Sequence, residues 1–387
     1  METKRKKICL VVAVPMTASA FLLKHIEVLS GSFDVYLVAN FDGVQSSLYQ
    51  NPHLKGIYSV PVQREINIMK DVQALQNLAL FFRRTRFDVV LTVTPKAGFL
   101  GMIAAWKTEI PHRIHVFTGQ VWHTKTGFFK KLLMAIDRIT FHLSTRVFVD
   151  GKAQREFLIE KNIINDRRSF VLGKGSISGV DVARFSPDPE IRKHWRKELG
   201  YGENDVVFMF LGRLNVDKGI RDLARAFSDL SASCPDARLL LVGYDEEQLV
   251  PEILKMVSHP ERVCFFGPTS KPNELLQVAD VFCLPSYREG FGTSIIEASL
   301  LKKPIICSDT YGLQETIVDG VTGLRHLTAN PASLQAQMEV LYGDKDAREE
   351  MGENGRKYVM EHFTAETISK AWLEHFQALL GVTEKPA

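Results

Sequence analysis

Two glutamates, Glu289 and Glu297, bracket a glycine-rich turn in the stretch "PSYREGFGTSIIEASLLKKPIICSD" (285–309). Gly290 and Gly292 allow the backbone to approach a ligand closely and to take dihedrals closed to other residues. A helix that begins at Gly292, Thr293 and Ser294 offers free amide donors, an arrangement suited to phosphate. Glu297 then falls about one turn inside an apolar helix, where a carboxylate is costly unless it is partnered. A pair of sugar hydroxyls would satisfy it, and Glu289, on the preceding loop, would accept from a hydroxyl at the other end of the same ligand. The plainer reading has both acids facing solvent or paired with Lys302 and Lys303. Upstream, "FLGRLNVDKGIRDLARAF" (210–227) sets Gly212 and Arg213 at a strand end and Lys218 with Gly219 at a helix start. Arginine is a rigid five-donor fork and lysine a flexible point charge, so the pair could hold a diphosphate. Two solvated charges on a surface turn is the competing reading. No strand-linked GxGxxG or phosphate-loop motif is present, which weighs against a dinucleotide dehydrogenase and against a phosphate-loop ATPase.

The elements that must position these residues are strands alternating with helices. Apolar runs recur at 7–14, 34–39, 87–93, 113–117 and 145–150, and again at 205–212, 237–243, 262–267, 280–285 and 303–309. Continuous apolar strands separated by helical patterns indicate parallel sheets covered on both faces. The segment 176–205 has little strand signal and clustered turn residues, and reads as a linker; after "TGLRHL" the chain reads as helical to its end. With 387 residues, 45% hydrophobic and 24% charged, the composition is that of a soluble chain of two domains. The start "METKRKKICLVVAVPM" reads as a short basic segment and a first buried strand, not a signal peptide. No apolar run reaches the ~18–20 residues that span a bilayer. Five cysteines (Cys9, Cys234, Cys264, Cys283 and Cys307) without metal spacing read as buried thiols in a reducing compartment. The net charge of +3 is uneven: residues 1–190 hold 26 Lys plus Arg against 16 Asp plus Glu, and the remainder 22 against 29. Composition alone leaves nucleic acid or an anionic membrane surface open as the partner of the basic half.

The ordered set "GR…DKG" and "LPSYREGFGTSIIEA" resembles the retaining glycosyltransferases of family 4, and the likeness extends over nearly the whole chain. The resemblance implies the α/β fold called GT-B, two Rossmann-like doubly wound domains facing across a cleft. The expected division is 1–185 for the acceptor and 186–365 for the nucleotide-sugar, with 366–387 a C-terminal helix packing back on the first domain, and a tail. It implies that Arg213 and Lys218 hold the diphosphate, Glu289 the donor sugar and Glu297 the ribose. The turn at Gly267 and Pro268 is similar in position to a base-binding turn, and Gly212, Gly290, Phe291, Gly292 and Thr293 complete the donor side. No cofactor and no metal are expected, since the nucleotide-sugar is itself a substrate. The other expected partner is a lipid-linked glycan, not nucleic acid.

The first half departs from the family. The usual His-Gly is replaced by Thr118 and Gly119 within "RIHVFTGQVWHTKTGFF", with His115 on the strand and His123 on the following loop. The glycine-rich first loop is altered to "VPMTASAFLLKH", where Thr17 and Ser19 either bind acceptor or phosphate or cap the first helix. Thr17, Ser19, Thr118, Gly119 and His123 are the acceptor-side candidates. The form "TGQVW" resembles members that extend lipid-linked bacterial surface glycans. In the segment 124–146, Phe128, Phe129, Leu132, Leu133, Ile136 and Ile139 can share one helical face flanked by Lys125, Lys130, Lys131 and Arg138. Such a helix fits contact with anionic lipid, or ordinary core packing beneath a basic outer face. The expected location is cytoplasmic, peripheral on the inner face of the membrane. The expected reaction is transfer of a hexose or N-acetylhexosamine from a UDP-sugar to a polyprenyl-diphosphate-linked saccharide, with retention. A non-catalytic nucleotide-sugar or carbohydrate binder and a GT-B epimerase are the alternatives.

Overall fold

The structure is a computed structural model that describes residues 5–62 and 67–382; the first four residues of the basic start and the last five of the tail lie outside it. The chain forms two compact units, one running to Gly179 and resumed from Ala365, the other Val180–Thr364. Val180 belongs with the second because its amide donates to the Phe363 carbonyl at 2.8 Å and Phe185 joins that unit's core.

The first unit holds β1 (Lys7–Val11), α1 (Pro15–Phe21), α2 (Leu23–Ser30), β2 (Asp34–Ala39), β3 (Gly56–Ser59), α3 (Ile68–Thr85) and β4 (Val89–Val93). It continues through α4 (Pro95–Lys107), β5 (His112–Phe117), α5 (Gly127–Leu143), β6 (Arg146–Val149), α6 (Lys152–Glu160) and β7 (Ser169–Phe170). All pairings are parallel, in the order β3-β2-β1-β4-β5-β6-β7, and Ile8 lies between Val35 and Val89. The apolar runs foretell the five inner strands, but not β3 or β7. Both are edge strands, and neither carries the continuous apolar run that burial on two faces imposes: "GIYS" is only partly buried and "SF" spans two residues.

The second unit begins with α7 (Pro189–Glu198), inside the segment read from sequence as a linker. Asp188 caps it by accepting from the amides of Glu190 and Ile191, with Pro189 in the first turn. Arg192 and Arg196 both reach Asp280, and Trp195 and Leu199 pack against the unit's core, but the apolar stripe of Ile191, Trp195 and Leu199 is short and crowded by charged residues. There follow β8 (Val206–Leu211), α8 (Ile220–Ser233), β9 (Ala237–Val242), α9 (Val250–Met256), β10 (Val263–Gly267), α10 (Pro272–Leu275) and β11 (Val281–Leu284). The unit closes with α11 (Thr293–Leu300), β12 (Ile305–Ser308), β13 (Gly323–His326), α12 (Pro331–Gly343) and α13 (Lys345–His362). Its sheet is also parallel, ordered β10-β9-β8-β11-β12-β13.

The last helix, α14 (Ala365–Leu380), returns to the first unit and packs on α2. Trp372, Phe376 and Ile368 enter the core beside Phe33 and Phe148. His25 on α2 bridges Ser369 Oγ at 2.8 Å and the Ile177 carbonyl at 2.6 Å, and burial pushes its pKa down to about 4, so the ring is neutral. Helix α5 divides the apolar face drawn from sequence. Leu133 and Met134 pack inward beside Trp122 and Phe141, whereas Phe128, Phe129, Leu132 and Ile139 are exposed. The outer face is therefore apolar with lysines beside it, not basic.

Beneath α4, the buried His115 ring and Thr92 share a 2.8 Å hydrogen bond, and a glycine makes the room. A Cβ on Gly98 would stand 2.3 Å from His115 Cε1. Glycine to alanine inside a helix ordinarily stabilises by ~1 kcal/mol. Here Gly98→Ala is expected to destabilise by roughly 1–3 kcal/mol through overpacking. Urea unfolding midpoints of the two proteins check the sign.

Candidate active site

In an open parallel sheet, ligands bind where the strand order reverses, beyond the carboxyl ends of the two diverging strands. In the second unit that point lies between β8 and β11. Arg213 and Lys218 follow β8, and Glu289 follows β11, so the switch point brings the three proposed catalytic residues to one edge.

The two loops are locked together. Lys218 Nζ donates to Glu289 Oε1, which also accepts from Ser286 Oγ at 2.7 Å. Tyr287 donates from its amide to the Asp217 carbonyl and from its hydroxyl to Asp222 Oδ2, each at 2.8 Å. Arg288 Nη2 donates to Asp217 Oδ2, also at 2.8 Å. Contact at Gly219 is closer still: with φ +68° it sits where a Cβ would lie 2.0 Å from the Pro285 carbonyl oxygen. Glycine is required there both by its dihedral and by the approach. On the other side, Arg213 Nη1 donates to both oxygens of Glu246, at 2.6 and 2.7 Å. Both cations are paired, Lys218 part-buried against Glu289 and Arg213 half exposed beside Glu246.

Helix α11 starts after Gly292, whose φ is +67° and which supplies no side-chain cap. The first-turn amides of Thr293 and Ser294 thus remain donors at the helix N-terminus. Glu297 lies in the next turn, partly buried between the buried Ile296 and Ala298. Its carboxylate has no hydrogen-bond partner among the described residues. Desolvation pushes its pKa up from 4.5 to about 7, against the pull of the Arg184 guanidinium. Pairing with the neighbouring lysines does not occur, since Lys302 binds Glu353 and Lys303 donates to the Gln277 carbonyl at 2.9 Å.

The remaining donor-side positions divide by burial. Phe291 is turned into the core, its ring 5.1 Å from that of Phe363, so only its backbone could serve a ligand. Gly290 is partly buried. Gly212 donates to the Val242 carbonyl at 2.9 Å, and the Gly267 carbonyl accepts from Gly243 at the same distance. Pro268, just beyond β10, is exposed.

In the first unit the acceptor-side candidates also stand at strand carboxyl ends, after β1 and β5. Neither Thr17 nor Ser19 caps α1: the cap is Val14, without a side-chain bond, and Ser19 is exposed within the helix. The Thr118 carbonyl is clamped by the side-chain amides of Gln120 and the wholly buried Gln154, which orders the turn leading to Gly119. His115 is a core residue, buried, paired with Thr92 and driven by desolvation to a pKa of about 3. His123 packs its ring edge-on against Phe157 at 5.2 Å. Sequence reasoning missed Asn215, Glu246, Ser286 and Gln154. Single polar residues, three of them on loops and Gln154 on α6, carry no periodicity, and only contacts reveal them.

Residues 37–172 match the family described as "Glycosyl transferase 4-like domain", and residues 191–358 match "Glycosyl transferases group 1". The chain is 29% identical over 341 residues to the capsular polysaccharide biosynthesis glycosyltransferase CapM of Staphylococcus aureus, covering 87% of this chain and 88% of that protein. The chain is a GT-B-fold glycosyltransferase, related to family 4 enzymes of bacterial capsule and exopolysaccharide synthesis. It is also 26% identical over 296 residues to an Escherichia coli UDP-Gal:alpha-D-GlcNAc-diphosphoundecaprenol alpha-1,3-galactosyltransferase, covering 75% of each chain. Among solved structures, Anabaena HepE in complex with UDP-glucose superposes with a TM-score of 0.79 at 18% identity, covering 96% of the glycosyltransferase and 99% of HepE.

The Glu297 pKa has a consequence for stability. A carboxyl raised from 4.5 to about 7 on folding keeps a proton that the unfolded chain gives up. Its contribution to stability therefore falls as pH rises through that window. Burial pushes Asp137 up to about 6 and Asp150 to about 7, so they add slopes of the same sign, and a variant isolates Glu297. Glu297→Gln is expected to gain stability relative to the parent between pH 5 and pH ~7.5, read by urea unfolding at both values. An unchanged difference would exclude the shift.

Proposed function

We propose that the glycosyltransferase moves a hexose or N-acetylhexosamine from a UDP-sugar to a hydroxyl of a polyprenyl-diphosphate-linked saccharide, with retention of anomeric configuration. The observation that carries this reading is Glu297, a desolvated carboxylate without a hydrogen-bond partner among the described residues, one turn inside a helix whose first turn has no side-chain cap. Vicinal ribose hydroxyls supply the donors the carboxylate needs, and the diphosphate takes the amides. At the switch point, Arg213 and Lys218 neutralise the charge that develops on the leaving diphosphate as the glycosidic bond stretches, with no divalent ion required. Glu289, in contact with Lys218 and Ser286, holds a hydroxyl of the donor sugar. The departing phosphate oxygen takes the proton of the attacking acceptor hydroxyl. Support for the uridine donor comes from the fold shared with HepE, and for the lipid-linked acceptor from the galactosyltransferase relative.

Glu289→Ala separates the sugar from the nucleotide. Because it removes a negative charge beside Lys218, UDP affinity by calorimetry is expected to hold or tighten. Turnover on the best donor from a panel of UDP- and GDP-sugars is expected to fall by about 100-fold or more. Wild-type turnover would take Glu289 out of the site.

The acceptor's lipid places the reaction at a membrane, on the inner face of the cytoplasmic membrane in this reading. No helix among the described residues is long and apolar enough to cross one. Helix α5 is suited to lie on it: Phe128, 80% exposed, Leu132 and Ile139 align on one outer stripe, and Lys125 and Lys131 are exposed beside them. The enzyme is expected to sediment with anionic liposomes far more than with neutral ones, and salt should release it. The double variant Lys130→Glu, Lys131→Glu should weaken sedimentation while sparing turnover on a short water-soluble acceptor. Sedimentation that ignores lipid charge would exclude the basic flank as its cause.

A further inference from the structure

The two cations of the donor site are joined to one another by a chain of side chains that takes no part in the reaction proposed above. Arg213 is half exposed, and only its Nη1 is engaged, by the two oxygens of Glu246. Among the described residues Nε and Nη2 have no hydrogen-bond partner, so these donors stay available to phosphate oxygens. Glu246 Oε2 also accepts from Asn215 Nδ2 at 2.7 Å. The other atom of that amide, Oδ1, accepts from the Lys218 backbone amide at 3.2 Å, closing the turn that carries the lysine. Asn215 is 8% exposed, so its amide has little freedom to do anything else. The backbone fixes Glu246 as well: its amide donates to the Leu214 carbonyl at 3.1 Å, and Leu214 donates to the Tyr244 carbonyl at 2.9 Å.

A carboxylate touching a phosphate-binding arginine has two possible effects. As a loose rival anion, Glu246 would hold the arginine away from the donor and weaken binding. As an anchored acceptor, it would narrow the rotamers of a long, half-exposed side chain and lower the entropic cost of binding. The backbone pairing and the buried asparagine favour the second, because a rival anion must be free to leave. We infer that Glu246 and Asn215 are positioning residues that hold Arg213 in register with Lys218 for the donor's diphosphate. This rests on the reading of Arg213 as a diphosphate ligand. The support is of the kind that outer contacts give to a binding constellation elsewhere.

The difference between nucleoside di- and monophosphate affinity reads the contact, because Arg213 is assigned to the phosphates and Glu297 to the ribose. Calorimetric titrations with UDP and UMP, and with GDP and GMP in parallel, give that ratio for each variant. Glu246→Ala is expected to lower the diphosphate-to-monophosphate ratio by roughly tenfold with monophosphate affinity unchanged. Glu246→Gln, which keeps an acceptor oxygen, should recover part of the loss. Asn215→Asp keeps the acceptor that closes the lysine turn but sets a like charge beside Glu246, and should lower the ratio as Glu246→Ala does. A fold defect would weaken monophosphate binding equally and so leave the ratio intact, which counts against the inference. A ratio unchanged or raised in Glu246→Ala, while Arg213→Ala lowers it, overturns the positioning role alone. A ratio unchanged in Arg213→Ala removes the arginine from the diphosphate site, and the inference falls with it.

Discussion

Backbone meets backbone where Gly219 abuts the carbonyl of Pro285, and the second unit's site depends on that contact. No side chain fits between the loops leaving β8 and β11, so two segments nearly seventy residues apart in sequence are held at a fixed separation. Lys218 and Glu289 then neutralise one another across the seam, and Asp217 ties down both Tyr287 and Arg288. The same seam is the point at which strand order reverses, the position that open parallel sheets offer to ligands. A sugar nucleotide bound there would meet Lys218 and Glu289 already placed, without a search for their orientation.

Burial of polar groups is distributed unevenly through the protein. In the cores, buried histidines are neutral and paired: His25 with Ser369 and Ile177, His115 with Thr92. Asp280 keeps its charge among Arg192, Arg196 and the Val207 amide, which attach α7 to the sheet. Glu297 has no such arrangement. A half-desolvated carboxylate left without donors costs free energy in the folded state, and a fold retains such a cost where a ligand or a reaction repays it. That contrast, more than the glutamate spacing, separates the site from the structural ion pairs around it.

Much of the fold that carries the candidate donor site was legible in the sequence, because it is built from local signals. Apolar runs mark the inner strands of both sheets, since a strand covered on two faces must be apolar throughout. Glycines at 219 and 292 mark the starts of α8 and α11, where a positive φ is required. The order of Arg213, Lys218, Glu289 and Glu297 along the chain carried the family resemblance. Edge strands β3 and β7 escaped because partial burial leaves no continuous apolar run to read, and helix α7 because its short stripe of Ile191, Trp195 and Leu199 lies in a charged, turn-rich segment.

What tertiary structure alone decided is which charges touch. Sequence left Glu289 and Glu297 free to pair with Lys302 and Lys303; packing sends Lys302 to Glu353 and Lys303 to the Gln277 carbonyl, and gives Glu289 to Lys218. It turned Phe291 inward, opened the face of α5 that carries Phe128 and Leu132, and set Asn215 between the two cations through Glu246. Glycine turns and apolar periods are written in neighbouring residues, because backbone sterics and burial act over a few positions. A hydrogen bond between distant side chains depends on where the sheet sets their loops, and only the completed fold fixes that.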